Sequence, residues 1–139
     1  MGKTLAEKIL RDKSQTDATA GDIVLATVDL VFVQDTTGPL TIKQCEDSGL
    51  KTIAMPRKTA IFLDHAAPSP SQQTSNDHIL LRHFARETNC HIYDVGNGIC
   101  HQLVAELFAN PGDIIVGAIL TLFPQVLYAL LPLAWGPPT

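Results

Sequence analysis

The segment Asp94-Val-Gly-Asn-Gly-Ile-Cys-His-Gln102 decides the fold of this chain when it is compared with Ala60-Ile-Phe-Leu-Asp-His-Ala-Ala-Pro-Ser-Pro70. In both places a short apolar run leads into a polar turn, rich in Gly or Pro, that carries a histidine. α/β proteins present side chains in this way at the carboxyl ends of their strands, where ligands bind. His65 directly follows Asp64, and His101 follows a pair of glycines. These two turns are therefore the candidate site.

The composition indicates one globular domain. The 139 residues are 45% hydrophobic and 17% charged, with a formal net charge of −4, which argues against nucleic-acid binding and against disorder. Cys45, Cys90 and Cys100 are an odd number of cysteines at irregular spacing, so we expect no disulfide framework and a reducing, cytoplasmic location. The charged amino terminus lacks the apolar core of a secretory signal.

Hydrophobic spacing predicts the elements of the first half of the chain. Residues 4–13 have the apolar spacing of a helix, and the β-branched run 23–33 suits one or two strands. Thr37 has the chemistry of a helix N-cap, and the helix that follows is expected to end near Asp47.

The second half alternates strands with helices. Strands are expected at 59–63, 90–93 and 114–118, and helices at 75–87 and 99–108. Ser75 is expected to cap the first of these helices. The face of that helix predicted to be buried has four members: Ile79, Leu80, His83 and Phe84. The alternation predicts an α/β domain of three layers, α/β/α, with a largely parallel sheet between helices.

Asp64 and His65 are the first candidates for chemistry. A carboxylate beside an imidazole can orient the ring and raise its pKa, which makes the ring a proton donor near neutral pH. The same pair at a strand end also suits an ordinary surface turn. His101 has two interpretations as well, because glycines before it allow close approach to a ligand, whereas a histidine at a helix start is often structural.

Residues 34–37, Gln34-Asp35-Thr36-Thr37, lie at a predicted strand-to-helix junction. Their amide, hydroxyls and backbone N–H groups can bind an anion such as a carboxylate, or they can simply cap the helix. His78, His83 and His91 have no metal-ligand spacing, and we expect them to be surface or core residues, so no metal site is predicted.

Five segments, taken in their order along the chain, are more specific than any single residue. They are Thr4-Leu-Ala-Glu-Lys-Ile-Leu10, Asp35-Thr-Thr-Gly-Pro39, Phe62-Leu-Asp-His65, Asp94-Val-Gly-Asn-Gly-Ile-Cys-His-Gln102 and Asn110-Pro-Gly-Asp-Ile-Ile-Val-Gly-Ala118. Their sequence and order resemble the start of the aconitase superfamily, in particular the large subunits of 3-isopropylmalate dehydratase and homoaconitase-like enzymes. The resemblance runs from about residue 3 to residue 118, so residues 1–118 are interpreted as the start of an aconitase-like α/β domain.

The resemblance implies a hydro-lyase that reversibly dehydrates a hydroxy-polycarboxylic acid of the 3-isopropylmalate or homocitrate type, with a 4Fe–4S cluster as Lewis acid. It implies that His65 protonates the departing hydroxyl, that Asp64 pairs with His65, and that His101 lies in the same cleft. Gln34, with Thr36 and Thr37, would contact a substrate carboxylate, although many dehydratase large subunits have histidine in place of Gln34. A small dehydratase subunit is the implied partner.

Cysteine usage departs from the family. Family members hold the cluster with three cysteines from a later part of the subunit, two of them in a CxxC pair, and this chain has no such pair. The resemblance therefore predicts that the chain alone neither holds the cluster nor turns over substrate.

The apolar tail, residues 119–139, is the second departure. One choice of codons for it, shifted by one base, encodes the D-S-H-T phrase with which the family continues, so we interpret the tail as a frameshifted reading that favours self-association. The uncharged run 114–135 is also long enough to span a bilayer, but Pro124 and Pro132 interrupt it and no basic cluster flanks it. An assembly or binding segment without catalysis, and a small tail-anchored membrane protein, are the alternative interpretations.

Overall fold

The computed structural model describes residues 2–50, 52–118 and 128–130. Its α-helices are α1 (Leu5–Ser14), α2 (Gly38–Asp47), α3 (Gln72–Thr88) and α4 (Cys100–Leu103), and α4 continues into a π-helical segment, Val104–Phe108. A short 3-10 helix spans Pro56–Lys58. The strands are β1 (Leu30–Gln34), β2 (Thr59–Phe62), β3 (His91–Tyr93), β4 (Ile115–Ala118) and β5 (Tyr128–Leu130).

The strands form one sheet in the order β3-β2-β1-β4-β5. β3, β2, β1 and β4 run parallel to one another, and β5 pairs antiparallel with β4. In this register Phe32 lies between Ala60 of β2 and Gly117 of β4. The predicted α/β class with a largely parallel sheet is confirmed.

Helices cover both faces of the sheet, because side chains along each strand alternate between the two sides. One core joins the strands to α4 and the π-helical segment, and it contains Leu30, Phe32, Ala60, Phe62, Cys100, Val104 and Ile115. The other joins them to α2 and α3, and it contains Val33, Ile42, Ile61, Leu63, Leu81 and Ala85. The molecule therefore has the three layers expected from the sequence.

The strand prediction for residues 23–33 is wrong for residues 23–29. Only Leu30–Gln34 is strand, and the side chains of Ile23 and Leu25 are 99% and 95% exposed. Strand pairing starts where Leu30 lies opposite Ile115. A β-branched composition does not make a strand where no neighbouring strand supplies hydrogen bonds.

Helix α3 begins earlier than predicted, and a different face of the helix is buried. It begins at Gln72, because the Ser71 hydroxyl oxygen accepts a hydrogen bond from the Thr74 amide and caps it, so Ser75 lies inside the helix. The residues of α3 that it buries fully are His78, Leu81 and Ala85. Ile79 and Leu80 are largely exposed, His83 is exposed, and only Phe84 of the predicted face packs partly against the core.

The predictions for the tail lie mostly outside the described residues. Residues 119–127 and 131–139 are not described, so the frameshift and self-association hypotheses stay predictions. Within the described part of the chain, no helix combines the length and apolar character that crossing a membrane requires.

Replacing Gly117 with Ala is expected to lower the free energy of unfolding by about 1–3 kcal/mol, the usual cost of overpacking a core. An added Cβ would lie 2.5 Å from Cε1 of the Phe32 ring, which is fully buried. Urea denaturation followed by circular dichroism measures the change. Gly2→Ala is the matched control, because a Cβ added there meets nothing within 4 Å. Equal midpoints for the two variants would contradict the packing of Phe32 against β4.

Candidate active site

The candidate site lies at the carboxyl ends of β1, β2 and β3, which meet at one edge because these strands are parallel. Asp35 directly follows β1, and Asp64 and His65 follow β2. The turn after β3 leads into α4, whose first two residues are Cys100 and His101. The structure thus brings together the histidine turns that the sequence singled out.

The carboxylate of Asp35 is buried at this edge of the sheet and has three hydrogen-bond partners. Its side chain is inaccessible to solvent, and its residue is 1% exposed. Oδ1 accepts a hydrogen bond from the His65 amide at 3.2 Å, and Oδ2 accepts one from the Ala66 amide at 2.9 Å. Oδ2 also lies 3.1 Å from Nε2 of His78 on α3. One carboxylate therefore connects β1, the loop after β2 and α3.

Asp64 holds the His65 ring. Asp64 Oδ1 lies 2.9 Å from His65 Nδ1, and Oδ2 accepts a hydrogen bond from the Cys100 amide at 2.6 Å. Burial opposes ionisation of Asp64, but hydrogen bonds from the Cys100 amide and from His65 outweigh burial and hold the pKa of Asp64 below its ordinary value. An ionised carboxylate only accepts, so Nδ1 donates and Nε2 remains for other partners.

His101 lies beside His65. The two ring centroids are 6.0 Å apart in an edge-to-face arrangement, and His101 also packs edge-on against Phe32 at 6.4 Å. His101 is exposed, and the His65 side chain is 34% exposed. Two imidazoles that are fixed on one side and open to solvent on the other can exchange protons with a bound molecule.

Cys100 is a buried, free thiol. It is fully buried, and burial followed by the charge of Asp64 raises the pKa of its thiol to about 12. At neutral pH the side chain is therefore protonated and is a poor nucleophile.

Two groups in the described part of the chain have the side chains to hold a metal ion. Their ligand atoms lie within 4.8 Å of one another, and the groups are His65–Cys100–His101 and Asp35–Asp64–His65. Imidazole with thiolate is a donor set typical of zinc, whereas carboxylates suit harder ions. The sequence prediction of no metal site stays a prediction, and neither group is visible as a ligand spacing in the sequence because its members come from separate loops.

The three cysteines do not fit an iron–sulfur cluster. Cys100 packs in the core on the α4 side of the sheet, whereas Cys90 packs against the core on the side of α2 and α3. Cys45 lies on α2. Residues on opposite faces of one sheet cannot ligate a single cluster, so these cysteines are not a cluster site.

Gln34, Thr36 and Thr37 surround the start of α2. The Gln34 side chain is fully buried; its Oε1 accepts hydrogen bonds from the amide (2.6 Å) and hydroxyl (2.8 Å) of Thr36. Its Nε2 has no hydrogen-bond partner among the described residues, which is unusual for a buried donor. Thr37 occupies the predicted N-cap position of α2, but its side chain makes no capping hydrogen bond, because its hydroxyl donates to the Ala118 carbonyl at 2.5 Å.

Sequence reasoning missed the roles of Asp35 and His78. From the sequence alone, Asp35 is only part of a possible anion-binding turn, and His78 is only a surface or core residue. Two signals were available: a carboxylate directly after an apolar strand, and a histidine in helical phase with Leu81 and Ala85. Neither signal identifies the partner, because Asp35 and His78 are far apart in the sequence.

Comparison with known proteins agrees with this geometry. The model of the aconitase family (aconitate hydratase) matches residues 7–118. The chain belongs to the aconitase family. The match begins within α1, ends with β4 and includes every site residue described above. The resemblance predicted from the sequence is therefore confirmed.

Curated aconitase-family relatives cover the same segment. The 3-isopropylmalate dehydratase large subunit of Elusimicrobium minutum is 48% identical over 118 residues, which are 85% of this chain and 28% of that protein. Large subunit 1 of Thermotoga maritima is 46% identical over 118 residues, and large subunit 2 of Archaeoglobus fulgidus 48% over 118 residues, each with the same coverage. The chain thus spans little more than a quarter of the length of these relatives.

Asp64→Asn should lower the free energy of unfolding at neutral pH by about 1.5–3 kcal/mol, because a charged acceptor becomes a neutral amide. The folded chain lowers the pKa of Asp64, so its stabilising contribution is complete above the unfolded pKa of about 3.9. That contribution is lost as the pH falls through the lower, folded pKa.

Urea denaturation at a series of pH values measures this difference between wild type and variant. The difference should shrink as the pH falls below about 4. Asp12→Asn is the control, because Asp12 is exposed and, among the described residues, its carboxylate contacts only the side chain of its neighbour Arg11, at 3.3 Å. A difference that stays constant down to the acid limit would contradict the interaction of ionised Asp64 with Cys100 and His65.

Proposed function

We propose that this chain is the amino-terminal part of a hydro-lyase large subunit that dehydrates and rehydrates a hydroxy-polycarboxylic acid. The observation that carries the proposal is the contact of Asp64 with His65 Nδ1, beside the ring of His101, in the segment that matches the aconitase family. The relatives are named 3-isopropylmalate dehydratases, which favours 3-isopropylmalate as the substrate, and a homocitrate-type acid is the related choice.

His65 is proposed as the proton donor. Asp64 occupies Nδ1, so Nε2 is the nitrogen that gives a proton to the departing hydroxyl, which leaves as water. The electron pair of the broken C–H bond forms the alkene, and the base that removes that proton lies outside this chain. In the reverse reaction Nε2 takes the proton back from water. His101 borders the same space and orders the substrate hydroxyl or the water.

Gln34 is proposed to bind a substrate carboxylate. Its buried Nε2 lacks a partner among the described residues, and a carboxylate oxygen would supply one. Thr36 holds the side-chain amide of Gln34 in place, because its amide and hydroxyl both donate to Gln34 Oε1, and the amino-terminal end of α2 adds further donors. Thr37 contributes indirectly, because its hydroxyl ties this turn to the end of β4.

The remaining machinery is proposed to lie outside this chain. The cysteines here do not suit a cluster, so ligands of the 4Fe–4S cluster that the family resemblance implies would come from another part of the subunit. The relatives are named as large subunits, which supports a small dehydratase subunit as partner. The chain alone is therefore expected to have no turnover.

A second candidate function is assembly without catalysis. An apolar groove of about 610 Å³ lies between α2 and α3, and its apolar lining includes Ile42, Leu50, Met55, Leu80 and Phe84. A groove of this kind suits packing against another part of a larger protein.

A chimera tests the proposal. Residues 3–118 of this chain would replace the matching segment of the Elusimicrobium minutum large subunit, and dehydration of 3-isopropylmalate would be followed by the absorbance of the alkene product. We expect turnover in the chimera and a kcat roughly 10²- to 10⁴-fold lower after His65→Asn, the usual contribution of a proton donor.

His83→Asn is the matched control, because the His83 side chain is 67% exposed on α3 and does not touch the site. We expect it to leave kcat unchanged. Wild-type turnover in the His65→Asn chimera would contradict the proposed role and would favour the assembly function instead.

A further inference from the structure

Asp35 is a fully buried carboxylate with no part in the steps above. Burial removes a carboxylate from water, and such a group persists in a fold only when donors satisfy it. Asp35 has three: the His65 amide, the Ala66 amide and Nε2 of His78. Two of these donors are successive amides of the loop that carries the His65 ring.

We propose that Asp35 and His78 are positioning residues that determine where the His65 ring lies. Asp35 fixes the backbone of this loop, because one carboxylate oxygen accepts a hydrogen bond from the His65 amide and the other accepts one from the Ala66 amide. His78, 4% exposed in the first half of α3, holds the carboxylate by its second oxygen. Neither residue needs to touch the substrate for this role.

The two carboxylates of the site then have separate tasks. Asp35 holds the main chain of His65, and Asp64 holds the Nδ1 atom of its ring. A side chain that is fixed at both ends has one orientation, and this is the arrangement that proton transfer requires. Without Asp35, the amides of residues 65 and 66 would hydrogen-bond to water instead, and the His65 ring would move away from the His101 ring.

The inference rests on the proposed function only for its effect on turnover. The position of the His65 loop can be measured in the 139-residue chain itself, whatever reaction the larger protein carries out. A loop that moves as expected while the chimera is inactive would leave the positioning role standing and would count against the proposed function alone.

The test is NMR spectroscopy of the isotope-labelled 139-residue chain and its Asp35→Asn variant, which keeps the size of the side chain but not its charge. We expect hydrogen exchange of the Ala66 amide to be roughly 10- to 100-fold faster, the factor for losing a hydrogen bond to a charged acceptor. We also expect loss of the nuclear Overhauser contact between the His65 and His101 rings.

Asp29→Asn is the matched control. Asp29 is a carboxylate at the opposite edge of the sheet, directly before β1, where it accepts a hydrogen bond from the Ile114 amide at 2.9 Å and forms a salt bridge with Lys13 at 2.5 Å. Losing these contacts destabilises the chain away from the His65 loop, so the exchange of Ala66 and the contact between the rings should stay as in wild type. If Ala66 exchange became equally fast in both variants and both lost the contact between the rings, the cause would be a general loss of stability, and the proposal would be overturned.

Variants of His78 decide the matter if Asp35→Asn does not fold. His78→Leu removes a donor to Asp35, whereas His78→Gln retains an N–H group, so faster Ala66 exchange in the first variant that is reversed in the second supports the proposal. Wild-type exchange and an intact ring contact, in a folded Asp35→Asn chain or in His78→Leu, would overturn it.

Discussion

The burial of one carboxylate, Asp35, is the constraint on which the site depends. Donors must reach it, and they come from the loop after β2 and from α3. The register of the sheet makes this possible, because Gln34 lies opposite Phe62 and Asp35 is therefore level with the residues that follow β2. A slip of one residue would turn Asp35 to the other face and leave these amides without their acceptor.

The chemistry of the site follows from a second carboxylate on the next strand. Asp64 accepts hydrogen bonds from the His65 ring and the Cys100 amide, so the loop after β2 is joined to the first turn of α4. That connection brings His101 beside His65. The ionised state of Asp64 also determines which nitrogen of His65 is free, while the neighbouring Cys100 thiol stays protonated. Two acids and two imidazoles thus have distinct roles because their surroundings differ.

Local patterns were enough to predict the order of the elements and the turns that carry Asp64, His65 and His101. Those features depend on apolar spacing, glycine and proline, which act over a few residues. The failures depend on partners that are distant in the sequence. Residues 23–29 have strand composition but pair with no strand in the part of the chain that the structure describes, and the Thr37 hydroxyl bonds Ala118 rather than capping its helix. The phase of α3 follows His78, whose partner Asp35 precedes it by 43 residues.

The neutral tautomer of His65 tests the central claim most directly. Nitrogen-15 chemical shifts of the ring, measured in the 139-residue chain above the pKa of the imidazole, report which nitrogen carries the proton. The hydrogen bond to ionised Asp64 predicts that Nδ1 is protonated and that Nε2 bears the lone pair. A neutral ring protonated on Nε2 would contradict the account, because Asp64 would then not hold His65 in the orientation that the proposed proton transfer requires.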